Sequence, residues 1–172
     1  MSTWYEYFMS LPLEWMVVVT AFVEEIFPPL PGGVFIAAAA MAELEQGMGW
    51  TGVVMICILG ALSKAFGCWI TYELTDKGED LMAAKFPERF AQARLQVEKW
   101  QTWLSNSWWD DVLLFLLRAI PIVPTFLVSI AAGLLRINRA SFIATTIVGL
   151  VVRNLLFAAL GIYGVISIQS FL

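Results

Sequence analysis

Four apolar stretches dominate this sequence, and two of them are interrupted by prolines. Residues 51–72 and 139–166 are each long enough to cross a bilayer, which takes about 20 mostly apolar residues. The first contains Lys64, and the second contains Arg153 and Asn154. A soluble chain of 172 residues cannot cover 60% hydrophobic side chains, and a mean hydropathy of +0.78 is that of a protein dissolved in lipid. The composition predicts one all-α integral membrane domain spanning 1–172.

The other two stretches do not fit simple crossings. Residues 11–45 are too long for one span and are broken at Phe27-Pro28-Pro29-Leu30-Pro31-Gly32-Gly33. Proline cannot continue a helix interior, and Pro-Gly favours a turn. The arms, roughly 13–27 and 34–43, are too short to cross alone. Residues 111–135 repeat the design, with Arg118, Pro121, Pro124 and Gly133 among short apolar arms. Non-helical backbone at membrane depth is tolerated only inside protein or beside a water-filled cavity. Both segments are therefore expected to be re-entrant helical hairpins. The rival is a single proline-kinked span over 112–135.

Charge favours the hairpins. If both return to the side they leave, Lys77, Lys85, Arg89, Arg94, Lys99, Arg136 and Arg139 share one face. That one-sidedness predicts a cytoplasmic central loop and outward termini in a multi-pass protein of the inner or plasma membrane. Each half then reads as a hairpin followed by a span. One crossing separates the halves, so they form an inverted repeat whose hairpins are opposed, a common transporter plan.

The connector, 76–110, is different. Phe86, Phe90, Ala93, Val97, Trp100 and Leu104 form a helical apolar stripe, with Glu88, Arg89, Arg94, Glu98 and Lys99 off it. It is expected to be an amphipathic helix, either in the membrane interface or packed on the protein's cytoplasmic face. No Lys or Arg precedes Lys64, so the basic start of a signal peptide is not expected. A net charge of −4 with no basic run argues against nucleic acid. With no histidine and no nucleophile–base or metal-ligand cluster, no enzyme, cofactor or metal is expected. Cys57 and Cys68 lie too far apart on one helix to bridge, and buried packing is expected of them.

The residues that stand out are the ionisable ones at membrane depth: Glu24, Glu25, Lys64, Arg118 and Arg153. A charge at the centre of a lone membrane helix costs about 2.5–3.5 kcal/mol on insertion scales. Such groups line substrate or proton paths, or they pair structurally. Glu24 and Arg118 lie just before their proline breaks, so pairing across the two hairpins is the first expectation. Glu25 faces elsewhere on the same helix, and an interfacial position stays open for it. For Lys64 and Arg153 the functional and structural readings stay level. Two acids and three bases give a net +1, which suits an anionic guest.

These residues resemble the DedA family, whose shared core is called the VTT or SNARE-associated domain. Phe22 to Gly32 resembles its acidic, proline-rich hairpin signature, and Gly60-Ala61 with Gly67 its small-residue span. Phe115 to Pro121 followed by Ala132-Gly133 resembles its Arg-x-x-Pro hairpin and Ala-Gly turn, and Gly161 to Gly164 its closing element. The resemblance implies opposed re-entrant hairpins and a lipid translocase or scramblase. The family's acids stand as Gly33 and Lys64 here, and its second hairpin arginine as Pro124. Those departures bear on proton coupling and on undecaprenyl phosphate as cargo, and leave the fold intact.

Three functions follow as expectations. The leading one is translocation of a phosphate-bearing lipid such as a phospholipid or polyprenyl phosphate, with membrane lipids as partners and protons as candidate partners. The second is proton-coupled transport of a small soluble cation or drug. The third is a non-transporting membrane organiser. Homo-oligomers stay open under all three.

Overall fold

The computed structural model describes the backbone of residues 12–26, 32–85 and 108–169, and side chains there except 79–85, 108, 110, 165, 166, 168 and 169. The described elements are all helical: α1 (Leu13–Ile26), α2 (Gly32–Glu45), α3 (Gly49–Lys85), α4 (Trp108–Ala119), α5 (Thr125–Leu134) and α6 (Arg139–Gln169). Pro12 opens α1, its carbonyl taking the amides of Trp15 and Met16, where proline's missing N–H is not needed. α1 stops two residues short of Pro28-Pro29, and α4 stops two short of Pro121.

The two halves share one plan: short helix, break, short helix, tight turn, long helix. The tight turns match. Met48 N–H donates to Glu43 O and Gly47 N–H to Leu44 O; Ile137 N–H donates to Ala132 O and Arg136 N–H to Gly133 O. Both are Schellman caps closed by a left-handed residue, Gly47 at φ +81° and Arg136 at φ +49°. Gly133 sits inside α5 rather than at the turn, because its bare Cα is needed elsewhere. A Cβ there would meet Thr75 Cβ and the Tyr72 carbonyl at 2.8 Å. Gly32, expected in the first break, is instead the first residue of α2. Pro28, Pro29 and Pro31 lie outside the described residues.

α3 and α6 are long and apolar enough to cross a membrane, over Gly49–Gly78 and Arg139–Gly164. They pack against each other and carry the shorter helices. One core joins α1 and α2 to them through Val17, Ile36, Ala40, Val53, Cys57 and Ala158. The other joins α4 and α5 through Ala65, Cys68, Leu114, Val128, Phe142 and Leu150. The outward faces are just as apolar: Trp50, Val54, Ile58, Leu62 and Phe66 on α3 are exposed, as are Val148, Leu156 and Leu160 on α6. A continuous exposed apolar face of this kind suits lipid rather than water.

α3 does not end near 72, where a boundary is expected from hydropathy, but continues to Lys85. No proline interrupts it, and Thr75 Oγ1 to Thr71 O (2.8 Å) and Lys77 to Glu73 (3.3 Å) brace the extra turns. Its far end is tied to the α5–α6 turn. Tyr72 Oη donates to Ile137 O at 2.7 Å, Arg136 pairs with Asp76 at 3.6 Å, and Arg139 reaches Glu73 at 3.3 Å and Asp76 at 3.2 Å. Asp111 at the start of α4 accepts a hydrogen bond from Ser141 at the start of α6. The amphipathic stripe Phe86–Leu104 lies outside the described residues.

Candidate functional site

The ionisable residues meet where α1 packs on α3 and α5, but not in the expected pairing. Glu24 pairs with Lys64 of α3 at 2.6 Å rather than with Arg118. Consecutive residues on a helix point about 100° apart, from 3.6 residues per turn. α1 lies against α3 and touches α5, so Glu24 meets α3 while Glu25 reaches α5. The Glu24 carboxylate also lies where a Cβ on Gly32 would be, at the start of α2. The helix N-terminus adds favourable partial charge to that of Lys64. A larger residue at position 32 would push the carboxylate out of this pose.

Glu25 is completely buried within the protein. Thr125 Oγ1 donates to its Oε2 at 2.6 Å, and Ser129 Oγ donates to its Oε1 at 2.9 Å. Its stem crosses α3 at Gly67, where an added Cβ would lie 3.0 Å from Glu25 Cβ. Arg118, also fully buried, stands beyond the Ser129 hydroxyl. Its Nη2 donates to Ser129 Oγ (3.0 Å), and its Nη1 to the Thr125 carbonyl (2.9 Å) and Cys68 Sγ (3.2 Å). The guanidinium covers the Phe142 ring at 5.1 Å, and its Nε has no hydrogen-bond partner among the described residues. Arg118 fits because Gly149 of α6 leaves space for it: a Cβ there would lie 2.5 Å from Arg118 Cβ.

Arg153 does a different job. Its guanidinium donates to three carbonyls of the second break, Ile120 (2.9 Å), Val123 (2.8 Å) and Pro121 (2.8 Å). These carbonyls lie in the turn just beyond α4, where non-helical backbone left unsatisfied in lipid would cost several kcal/mol per group. Pro124 then leads into α5 with extended geometry, φ −67° and ψ 115°. Next to Arg153, Asn154 Nδ2 donates to Cys57 O at 3.0 Å and ties α6 to α3.

Four residues that contact Arg118 or Glu25 escaped the sequence reading in that role: Thr125, Ser129, Cys68 and Gly149. Thr125 and Ser129 carried a usable signal, two hydroxyls four apart on one face of an otherwise apolar helix. Cys68 is more than packing, since it accepts from Arg118. Glu43 was passed over as well. It is buried, with its carboxylate against Gly52 in the first turn of α3, where the helix dipole favours an anion.

With this geometry in view, the family model of the VTT domain matches residues 27–163. The chain belongs to the VTT-domain family, the DedA group. The match takes in Lys64, Arg118 and Arg153, while Glu24 and Glu25 fall just ahead of it. Among curated proteins, the VTT-domain chain is similar to a Caenorhabditis elegans "Transmembrane protein 41 homolog", 29% identical over 88% of this chain and 56% of the relative. It is also similar to an "Alkaline phosphatase-like protein" of Lactococcus lactis subsp. lactis, 23% identical over 81% of this chain and 64% of the relative. The chain thus spans 56% and 64% of the lengths of these relatives. No solved structure matches it.

Proposed function

We propose that this VTT-domain protein moves a phosphate-bearing lipid, a phospholipid or a polyprenyl phosphate, from one membrane leaflet to the other. One observation carries the reading. Arg118 is fully buried between apolar helices beside a break in the helical backbone, and among the described residues hydroxyl, thiol and carbonyl groups hold it rather than a direct ion pair. A cation so placed costs more than packing requires, and it suits a guest that brings negative charge.

In this reading the headgroup passes between the two breaks while acyl chains stay in lipid against the exposed apolar faces of α3 and α6. Arg118 engages the phosphate. Lys64 and its partner Glu24 flank the path, and Glu24, the more exposed of that pair, is the candidate for exchanging protons. Arg153 holds the second break in shape through its three carbonyls. No covalent step, cofactor or metal enters, and the phosphatase likeness in the bacterial relative's name is not carried over. A small-cation transporter would need a free carboxylate in the path, whereas Glu24 and Glu25 are both engaged.

The re-entrant, inverted topology belongs to the same proposal. Arg136 and Arg139 bond to Glu73 and Asp76, and Asp111 to Ser141. These contacts support a segment 111–135 that returns to the end of the bundle it left. Leu13 and Leu44 packing against one core supports the same for 11–45. The matched Schellman turns support a repeat. By the positive-inside rule the end bearing Lys77, Arg136 and Arg139 is cytoplasmic, with the termini outside the cell membrane.

The direct test is reconstitution into liposomes carrying a fluorescent phospholipid, with an impermeant quencher added outside. The protein is expected to expose inner-leaflet label to the quencher faster than protein-free vesicles do. Equal rates for phospholipid and polyprenyl phosphate, both at the protein-free level, would sink the proposal. Uptake of a soluble cation driven by a pH gradient, without flipping, would favour the small-solute reading.

A further inference from the structure

We propose that Glu25 is the built-in occupant of an oxyanion cradle made by Arg118, Thr125 and Ser129, and that the oxygens of a phosphate group displace it. The proposal rests on the translocase reading for its role in transport, but the cradle itself rests on geometry.

The cradle belongs wholly to the second half of the chain, with Arg118 on α4 and both hydroxyls on α5. Its occupant comes from the first half, on the last turn of α1. Two hydroxyls on the carboxylate, with a guanidinium directly behind one of them, are donors suited to an oxyanion. The carboxylate uses only part of that capacity. It accepts from Thr125 and Ser129, and is joined to Arg118 only through the Ser129 hydroxyl. The strongest geometry for the two charges, a direct forked contact, is not made.

Two donors are left over. Arg118 has five N–H groups, and its Nε is buried without a partner among the described residues. Thr146 Oγ1 is the other buried group without one. It lies on the face of α6 that carries Phe142 and Gly149, both of which touch Arg118. The Glu25 carboxylate has two oxygens in a plane, each held by one hydroxyl, and in that pose neither meets the guanidinium directly. A tetrahedral phosphate offers three or four, enough to hold both hydroxyls and meet the guanidinium directly. The cradle therefore suits phosphate better than the side chain now in it. Glu25 would keep Arg118 from standing empty when no guest is present, since an uncompensated buried charge is strongly destabilising. Its position two residues before the first break lets one turn of helix carry it out.

The experiment is rescue of a vacated cradle. Full-length protein in detergent is melted with dioctanoyl phosphatidic acid, with inorganic phosphate, or with dioctanoylglycerol, which has no phosphate. Glu25→Ala alone is expected to melt below wild type. Phosphatidic acid should raise its melting temperature by about 4 °C or more, well beyond the wild-type shift, while dioctanoylglycerol should not. Adding Arg118→Ala should abolish the rise. Glu25→Gln, which keeps the side chain's size, is the second variant should the alanine protein fail to fold, and a smaller rise of the same pattern is expected. A rise with inorganic phosphate as well identifies free phosphate as a sufficient guest; a rise with phosphatidic acid alone identifies the lipid headgroup. The proposal is overturned if neither variant gains more than wild type from either phosphate probe, or if the gain survives without Arg118. Rescue together with protein-free flipping rates in liposomes would sink the translocase reading and leave the cradle standing. Flipping without rescue would do the reverse.

Discussion

Glu24 and Glu25 are neighbours in the chain and opposites in environment. Glu24 meets its cation directly, at 2.6 Å, and keeps 17% of its side chain exposed. Glu25 is sealed off, holds two hydroxyls, and meets its cation only through one of them. The difference arises because α1 turns about 100° between them, and the two sides of α1 face different helices. One acid is bound to α3 in its own half of the chain, and the other bridges to the opposite half. Two carboxylates that composition counts as equal therefore have unequal work, one bracing a half and one joining the halves.

The largest expected effect breaks that comparison outright. Glu25→Ala strands Arg118 and two hydroxyls in a sealed site and should cost about 3–5 kcal/mol. Glu24→Ala leaves Lys64 beside a partly exposed space and should cost less, about 2 kcal/mol. Denaturant unfolding of the purified variants orders them, and equal losses would erase the distinction. A finer cut removes both charges of the direct pair. Glu24→Gln with Lys64→Met should recover most of what Lys64→Met alone loses, because the penalty lies in the unpaired partner.

Smaller effects test the packing around Arg118 and the matched turns. Gly149→Ala forces a methyl against Arg118 Cβ and should cost about 1–3 kcal/mol. Its lost stability should come with lost transport, since the guanidinium moves too. Arg136→Gly should be the mildest. It relieves a left-handed residue, worth about 1 kcal/mol, while giving up a half-exposed ion pair with Asp76. A melting temperature within a few degrees of wild type, moving upward as salt is added to both, is expected.

Much of the architecture could be read from the sequence because periodicity and proline are local signals. The arms at 13–27 and 34–43 appear as Leu13–Ile26 and Gly32–Glu45, and both long helices are where hydropathy puts them. The continuation of α3 past 72 was missed because both hydropathy and helix propensity fall over Thr75, Asp76 and Gly78, and the extra turns are held by contacts such as Lys77 to Glu73. The site was less legible. Glu24, Glu25, Lys64, Arg118 and Arg153 do stand together, but their partners depend on helix rotation. Spacing from a proline break gives depth and not direction, so Glu24 was matched to Arg118 instead of Lys64. Arg153 looked like a bare intramembrane charge because its partners are main-chain carbonyls, which every residue has. Only the turn they belong to marks them out.

The central claim is that a buried arginine beside the second break handles a phosphate during lipid passage. It is tested most directly by the flipping rate of a fluorescent phospholipid in liposomes containing wild type, Arg118→Lys or Arg118→Ala, each confirmed folded by its elution and melting. The account predicts that Arg118→Ala falls to the protein-free rate and that Arg118→Lys, a cation without the forked geometry, lies between. A folded Arg118→Ala protein that flips lipid as fast as wild type would contradict it.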